Sequence, residues 1–102
     1  MLSGKQKSYL RGAANEMQPI IQVGKLGINE MLVETTHKAL EARELIKISA
    51  LQNCLDEPKN IAGELAKQTN AEVVQVIGRT IILYKETSKR ENRDHSLSVK
   101  KF

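Results

Sequence analysis

The most constraining stretch of this sequence lies near its end, where "EVVQVI" and "TIILYK" are separated only by Gly78 and Arg79. Both runs are rich in β-branched residues, and a two-residue connection with glycine first signals a hairpin of the II′ kind. A turn this tight fixes an antiparallel pair and its register. A slip of one residue would turn every side chain to the other face. The chain must therefore contain a sheet, and the sheet must be covered by whatever precedes it.

What precedes it alternates between helical and strand periods. Ser3 is a suitable N-cap, and Leu10, Ala13, Ala14 and Met17 repeat at the spacing of one buried helical face, with Lys7 and Arg11 flanking it. Pro19 closes this segment, because the residue before a proline avoids the helical region. "IIQV" at 20–23 reads as a short strand ended by Gly24. Asn29 caps a second helix whose buried side is expected to carry Ile28, Met31, Leu32, Thr35 and Ala39, with Glu34 and Lys38 paired outside. "LIKISAL" at 45–51 alternates as a half-buried strand does. Asp56 is the expected cap of a third helix, with Pro58 in its first turn and Ile61, Leu65 and Thr69 on its inner face. The order α-β-α-β-α-β-β predicts one α/β (α+β-like) domain over residues 1–86. Residues 87–102 are polar and basic without an apolar period, and are expected to form a disordered tail that adds affinity but no fold.

Composition narrows the function. Tyr9, Tyr84 and Phe102 are the only aromatic residues, so aliphatic side chains must form the core. So few rings also argue against RNA-recognition-motif or OB-type platforms, which stack bases on several aromatics. No apolar run reaches the roughly 18 residues of a membrane span. The start "MLSGKQKSYL" is too interrupted by charge for a secretory leader. Cys54 is the sole cysteine, so no internal disulfide forms, and the chain is read as soluble and cytoplasmic.

Catalytic chemistry finds little support. His37, His95 and Cys54 lack neighbours at metal-ligand spacing. Gly78-Arg79-Thr80 resembles the end of a phosphate-binding P-loop, but the earlier glycine is missing. No enzyme activity, metal or cofactor is expected.

Charge and glycine point elsewhere. The formal net charge is +4. Residues 1–28 carry Lys5, Lys7, Arg11 and Lys25 against Glu16 alone, and residues 86–102 are also basic, whereas charges between them nearly cancel. Gly24-Lys25-Leu26-Gly27 stands where the first strand hands over to a helix. Glycines permit close backbone approach, a lysine between them supplies a mobile point charge, and a helix start offers free N–H groups. These are the ingredients of a GxxG clamp on an RNA backbone. The same glycines could serve only the turn, and Glu30 would repel a phosphate placed too close.

The segments "LSGKQKSYLRGAA", "PIIQVGKLGINE", "ALEARELIKI", "LQNC" and "VVQVIGRTIILYK" together resemble the bacterial CRM-domain (YhbY-like) proteins, CRM standing for chloroplast RNA splicing and ribosome maturation. The resemblance spans about residues 2–86. It implies a mixed four-stranded sheet with three helices, similar to the C-terminal domain of translation initiation factor three with a helix added in front. It further implies RNA binding, associated in bacteria with large-ribosomal-subunit precursors. Carried over by position, the GxxG loop falls on Gly24, Lys25, Leu26 and Gly27, the basic first helix on Lys5, Lys7 and Arg11, and the hairpin's basic residue on Arg79. The resulting expectation is a monomer that binds ribosomal RNA during ribosome assembly. The alternative is a protein-interaction module docking on a ribosomal protein or assembly factor.

Overall fold

The computed structural model describes residues 2–102. Its elements run α1 (Gly4–Ala14), β1 (Ile21–Val23), α2 (Glu30–Arg43), β2 (Leu45–Ala50), α3 (Pro58–Thr69), β3 (Glu72–Ile77), β4 (Thr80–Tyr84), a single 3-10 turn (Arg90–Asn92) and α4 (His95–Val99). The four strands form one mixed sheet in the order β1-β2-β4-β3. β1 lies parallel to β2, with α2 as the crossover, and β4 is antiparallel to both its neighbours.

The hairpin forms as its turn requires. Gly78 takes φ +55, the left-handed value needed at the first central position of a II′ turn. The pairing of β3 with β4 shifts register between Val73 and Gln75, so Val74 is an extra residue in the strand. Its side chain turns to the face covered by α1.

The two central strands are buried on both faces, which is why Ile81, Ile82, Leu83 and Tyr84 are four consecutive buried residues. Ile46, Ile48, Ile81 and Leu83 pack with Leu40 of α2 and Ile61 and Leu65 of α3. On the opposite face Leu45, Ile82 and Tyr84 pack with Leu10 and Ala14 of α1 and with Val99. The sheet is therefore the middle of three layers. Each fully buried leucine or isoleucine contributes about 1.5–3 kcal/mol relative to leaving it in water.

Helix starts follow the sequence closely, with one exception. Ser3 caps α1 in a reciprocal box with Gln6, and Asn29 Oδ1 accepts from the Leu32 amide at 2.8 Å. α3 instead begins at Pro58 with Glu57 in the cap position and no side-chain cap; Asp56 stands one residue too early. α1 also ends sooner than Pro19 requires, since the Met17 amide already closes a turn on the Ala14 carbonyl.

The C-terminal segment departs most from expectation. Rather than being irregular, it folds back over α1 and the end of α2. Glu44, fully buried at φ +64, accepts backbone N–H groups from Thr87, Asp94 and Ser96. Glu41 accepts the Thr87 hydroxyl and the Ser88 amide. Val99 enters the cluster around Leu10. Few apolar residues are needed because carboxylates at the end of α2 do much of the holding, a relation that apolar periodicity in the segment itself does not reveal.

Candidate nucleic-acid interface

β1 ends at Val23, and the chain turns at once. The Gly27 amide donates to the Gly24 carbonyl at 3.0 Å, closing a turn with Lys25 and Leu26 at its tip. Both tip side chains are exposed, Leu26 to 88 %. The two glycines are not equivalent. Gly27 has φ +68, and a Cβ there would sit 2.8 Å from Asp56 Oδ2. Gly24 lies outside the left-handed region, and a Cβ on it would meet nothing within 4 Å. The turn's backbone strain therefore sits at Gly27, while Gly24 faces open space. Gly27→Ala is expected to cost about 1–2 kcal/mol in a denaturant melt, because an L-residue must enter the left-handed region. Gly24→Ala should leave the melt nearly unchanged.

Asn29 already satisfies one free N–H of α2, and Glu30 places a carboxylate in the first turn. The helix end is thus less available to an anion than the loop alone suggests. Lys25 supplies positive charge beside this helix end.

Beside the turn lies a groove of about 510 Å³. β1 forms its floor, the tip one wall, and Asn29, Met31, Leu32 and Thr35 of α2 the other. Met31 is 77 % exposed and Thr35 is exposed too, so neither belongs to the buried face of α2, contrary to expectation. Thr36 and Leu40 are buried instead, with Leu32, Val33 and Ala39 half-buried. The reason is positional: β1 is an edge strand, and no described strand borders the flank of α2 beyond it. Met31 is a groove residue that helical periodicity assigns to the core, and Ile20, on the same strand face as exposed Gln22, joins it there. Only knowing that β1 is at an edge would have redirected Met31.

Arg79 sits at the same end of the sheet. Its Nε donates to the Ala50 carbonyl at 2.9 Å and its Nη2 to the Leu51 carbonyl at 2.8 Å. The guanidinium thus ties the hairpin turn to the end of β2 while keeping its charge. Arg79→Lys should retain affinity for an anion but lose about 1–2 kcal/mol of stability, because an ammonium does not reproduce the two-pronged geometry. A urea melt paired with a binding titration separates the two effects.

Lys5, Lys7 and Arg11 lie on a different layer. α1 crosses the sheet face opposite α2. Asn15, just past its end, lines a cleft with Ile77 and Thr80 near the hairpin, whereas Gln6 near its start reaches the Val99 carbonyl. The basic start of α1 is thus directed away from the tip, toward the C-terminal segment.

Residues weighed for catalysis are dispersed. Cys54 is buried in the core, and His37 is exposed on α2, where it lines a recess with Ser88 and Lys89. Among the described residues, no group of three His, Cys, Asp or Glu side chains could hold a metal ion. No described helix is long and apolar enough to cross a membrane.

A three-layer domain with a glycine-bounded lysine tip beside an open groove defines a class of small binding modules. The chain belongs to the CRS1 / YhbY (CRM) domain family, which matches residues 2–85. It is 48 % identical over 97 residues to "Probable RNA-binding protein YqeI" of Bacillus subtilis, covering 95 % of this chain and 99 % of that one. A Haemophilus influenzae protein named "RNA-binding protein" is 32 % identical, over 82 % of this chain and 85 % of its own length. The solution structure of the hypothetical protein SAV1595 from Staphylococcus aureus superposes with a TM-score of 0.75 at 47 % identity, covering 91 % of this chain and 98 % of that one.

Proposed function

We propose that this chain is a non-enzymatic, cytoplasmic RNA-binding protein that engages ribosomal RNA in large-subunit precursors and assists ribosome assembly. The observation that carries the reading is the exposed Lys25-Leu26 tip beside the groove, in a chain whose relatives are named for RNA binding. Lys25 neutralises a phosphate, the bare backbone at Gly24 admits the sugar-phosphate chain, and the groove receives what projects from it. Arg79 adds charge at the same end of the sheet. Gly27 contributes by holding the turn. Lys5, Lys7 and Arg11 serve as a separate basic surface rather than part of the tip.

A second reading has its own support. Leu26 and Leu55, in loops, and Ile77, the last residue of β3, are exposed apolar residues, as a protein-docking surface would require. Crosslinking in cells, recovery of the bound RNA and sequencing test the first reading directly. Enrichment of large-subunit ribosomal RNA is expected. Recovery of only background RNA, with binding to a ribosomal protein that barely changes with salt, would favour the docking module.

A further inference from the structure

Tyr9 and Phe102, far apart in sequence, meet with ring centroids 5.3 Å apart and planes 28° from parallel. Tyr9 is half-buried and helps to seal the cluster under α1, but Phe102 lying over it remains 55 % exposed. A ring serving only as packing would lose most of its surface; this one presents a face to solvent. Cations flank it. Lys5 is exposed and four residues before Tyr9, hence on the same side of α1, and exposed Lys101 adjoins Phe102. The first turn of α1 contains no acidic residue. The arrangement is fixed from below, since Gln6 Nε2 donates to the Val99 carbonyl at 3.3 Å and Lys100 pairs with Glu86 at 2.9 Å.

We propose that the Tyr9–Phe102 stack, flanked by Lys5 and Lys101, is a second RNA contact that stacks an unpaired base while the lysines meet the adjoining phosphates. It rests on the RNA-binding reading above and adds a contact that joins α1, inside the matched family region, to Phe102 beyond it, on the side of the sheet opposite the groove. Stacking suits any base, because each has a π-face, so the contact selects single-stranded RNA rather than a sequence.

The chain has no tryptophan, so Phe102→Trp in this 102-residue chain introduces a sole indole reporter. Short oligouridylate is expected to quench its fluorescence, and duplex RNA of matched length is not. Phe102→Leu, which keeps the apolar cover but removes the ring, should weaken oligouridylate binding about fivefold or more. Its thermal midpoint should stay near the parent's. Absence of quenching by bound oligouridylate overturns the proposal. So does unchanged affinity of Phe102→Leu beside a weakened variant with Lys25 and Leu26 both replaced by aspartate, a result that leaves the tip contact standing. Failure of the parent to bind any RNA overturns both readings.

Discussion

Replacing Lys25 and Leu26 together by aspartate is expected to weaken RNA binding about ten- to hundredfold, the equivalent of losing one charge-assisted hydrogen bond of about 1.5–3 kcal/mol. Charge reversal adds repulsion where attraction stood, so the effect should exceed that of Lys25→Ala. The fold should survive, since both side chains are exposed and the bond from the Gly27 amide to the Gly24 carbonyl involves only backbone. Binding should also become less sensitive to salt, the logarithmic slope falling by about 0.7 to 0.9 for each phosphate that is no longer neutralised. Isothermal or fluorescence titration over a salt series, with a thermal melt as control, measures both quantities. Equal affinity and equal slope in a folded double variant would leave the glycines as turn formers and Lys25 as ordinary surface charge.

The largest expected effect on stability comes from Glu44. Its carboxylate accepts three backbone N–H groups in a fully buried position, and Glu44→Ala would leave those donors without partners. A loss of about 2–4 kcal/mol is expected, bounded above by the ease with which residues 86–102 can undock. The thermal midpoint should fall by about 10 °C or more for a domain of this size. Burial alone would push the Glu44 carboxyl up, but the hydrogen bonds from Asp94, Ser96 and Thr87 outweigh it and hold the group below its ordinary value. Glu41 is held low by the bonds from Thr87 and Ser88. A carboxylate with a depressed folded pKa stabilises fully above its unfolded value of 4.5. That contribution is lost as the pH falls through the lower folded value. Glu44→Gln should therefore flatten the acid limb of the stability curve while lowering its neutral plateau. Tyr84, beneath the same segment, stays protonated throughout, since burial and then the charges of Glu44 and Glu86 raise its phenol to about 12. A melt of Glu44→Ala indistinguishable from the parent at neutral pH would show that the segment docks without the carboxylate. Deletion of residues 88–102 should likewise lower the midpoint, because it removes Val99 from the cluster around Leu10.

The legibility of this fold in its sequence varies with the range of the interactions involved. Ser3, Asn29 and Gly78 act within a few residues of themselves, and their caps and turn occur where the sequence places them. Ile61, Leu65 and Thr69 follow from period alone and are buried as that period implies. Met31 and Thr35 share the same kind of period yet are exposed, because burial on α2 depends on which strand borders it. The C-terminal segment was illegible for a related reason. Its partners Glu41 and Glu44 are polar and distant in sequence, and an acidic side chain on a helix ordinarily signals a solvated face. The tip was readable as an exposed lysine between glycines, but the division of labour between Gly24 and Gly27 depends on Asp56, from a loop that sequence spacing does not bring near. Arg79 was legible as a charge and not as the pin between hairpin and β2.

The sheet's two margins bear on how this protein behaves when crowded. Strands at a margin offer unpaired N–H and C=O groups, an invitation for a neighbouring copy to add its own strand. Here β1 is only three residues long and β3 is kinked by its extra residue at Val74. A template so short, or so interrupted, gives an incoming strand too few consecutive bonds to hold its register. Self-association by strand exchange is thereby discouraged on both sides.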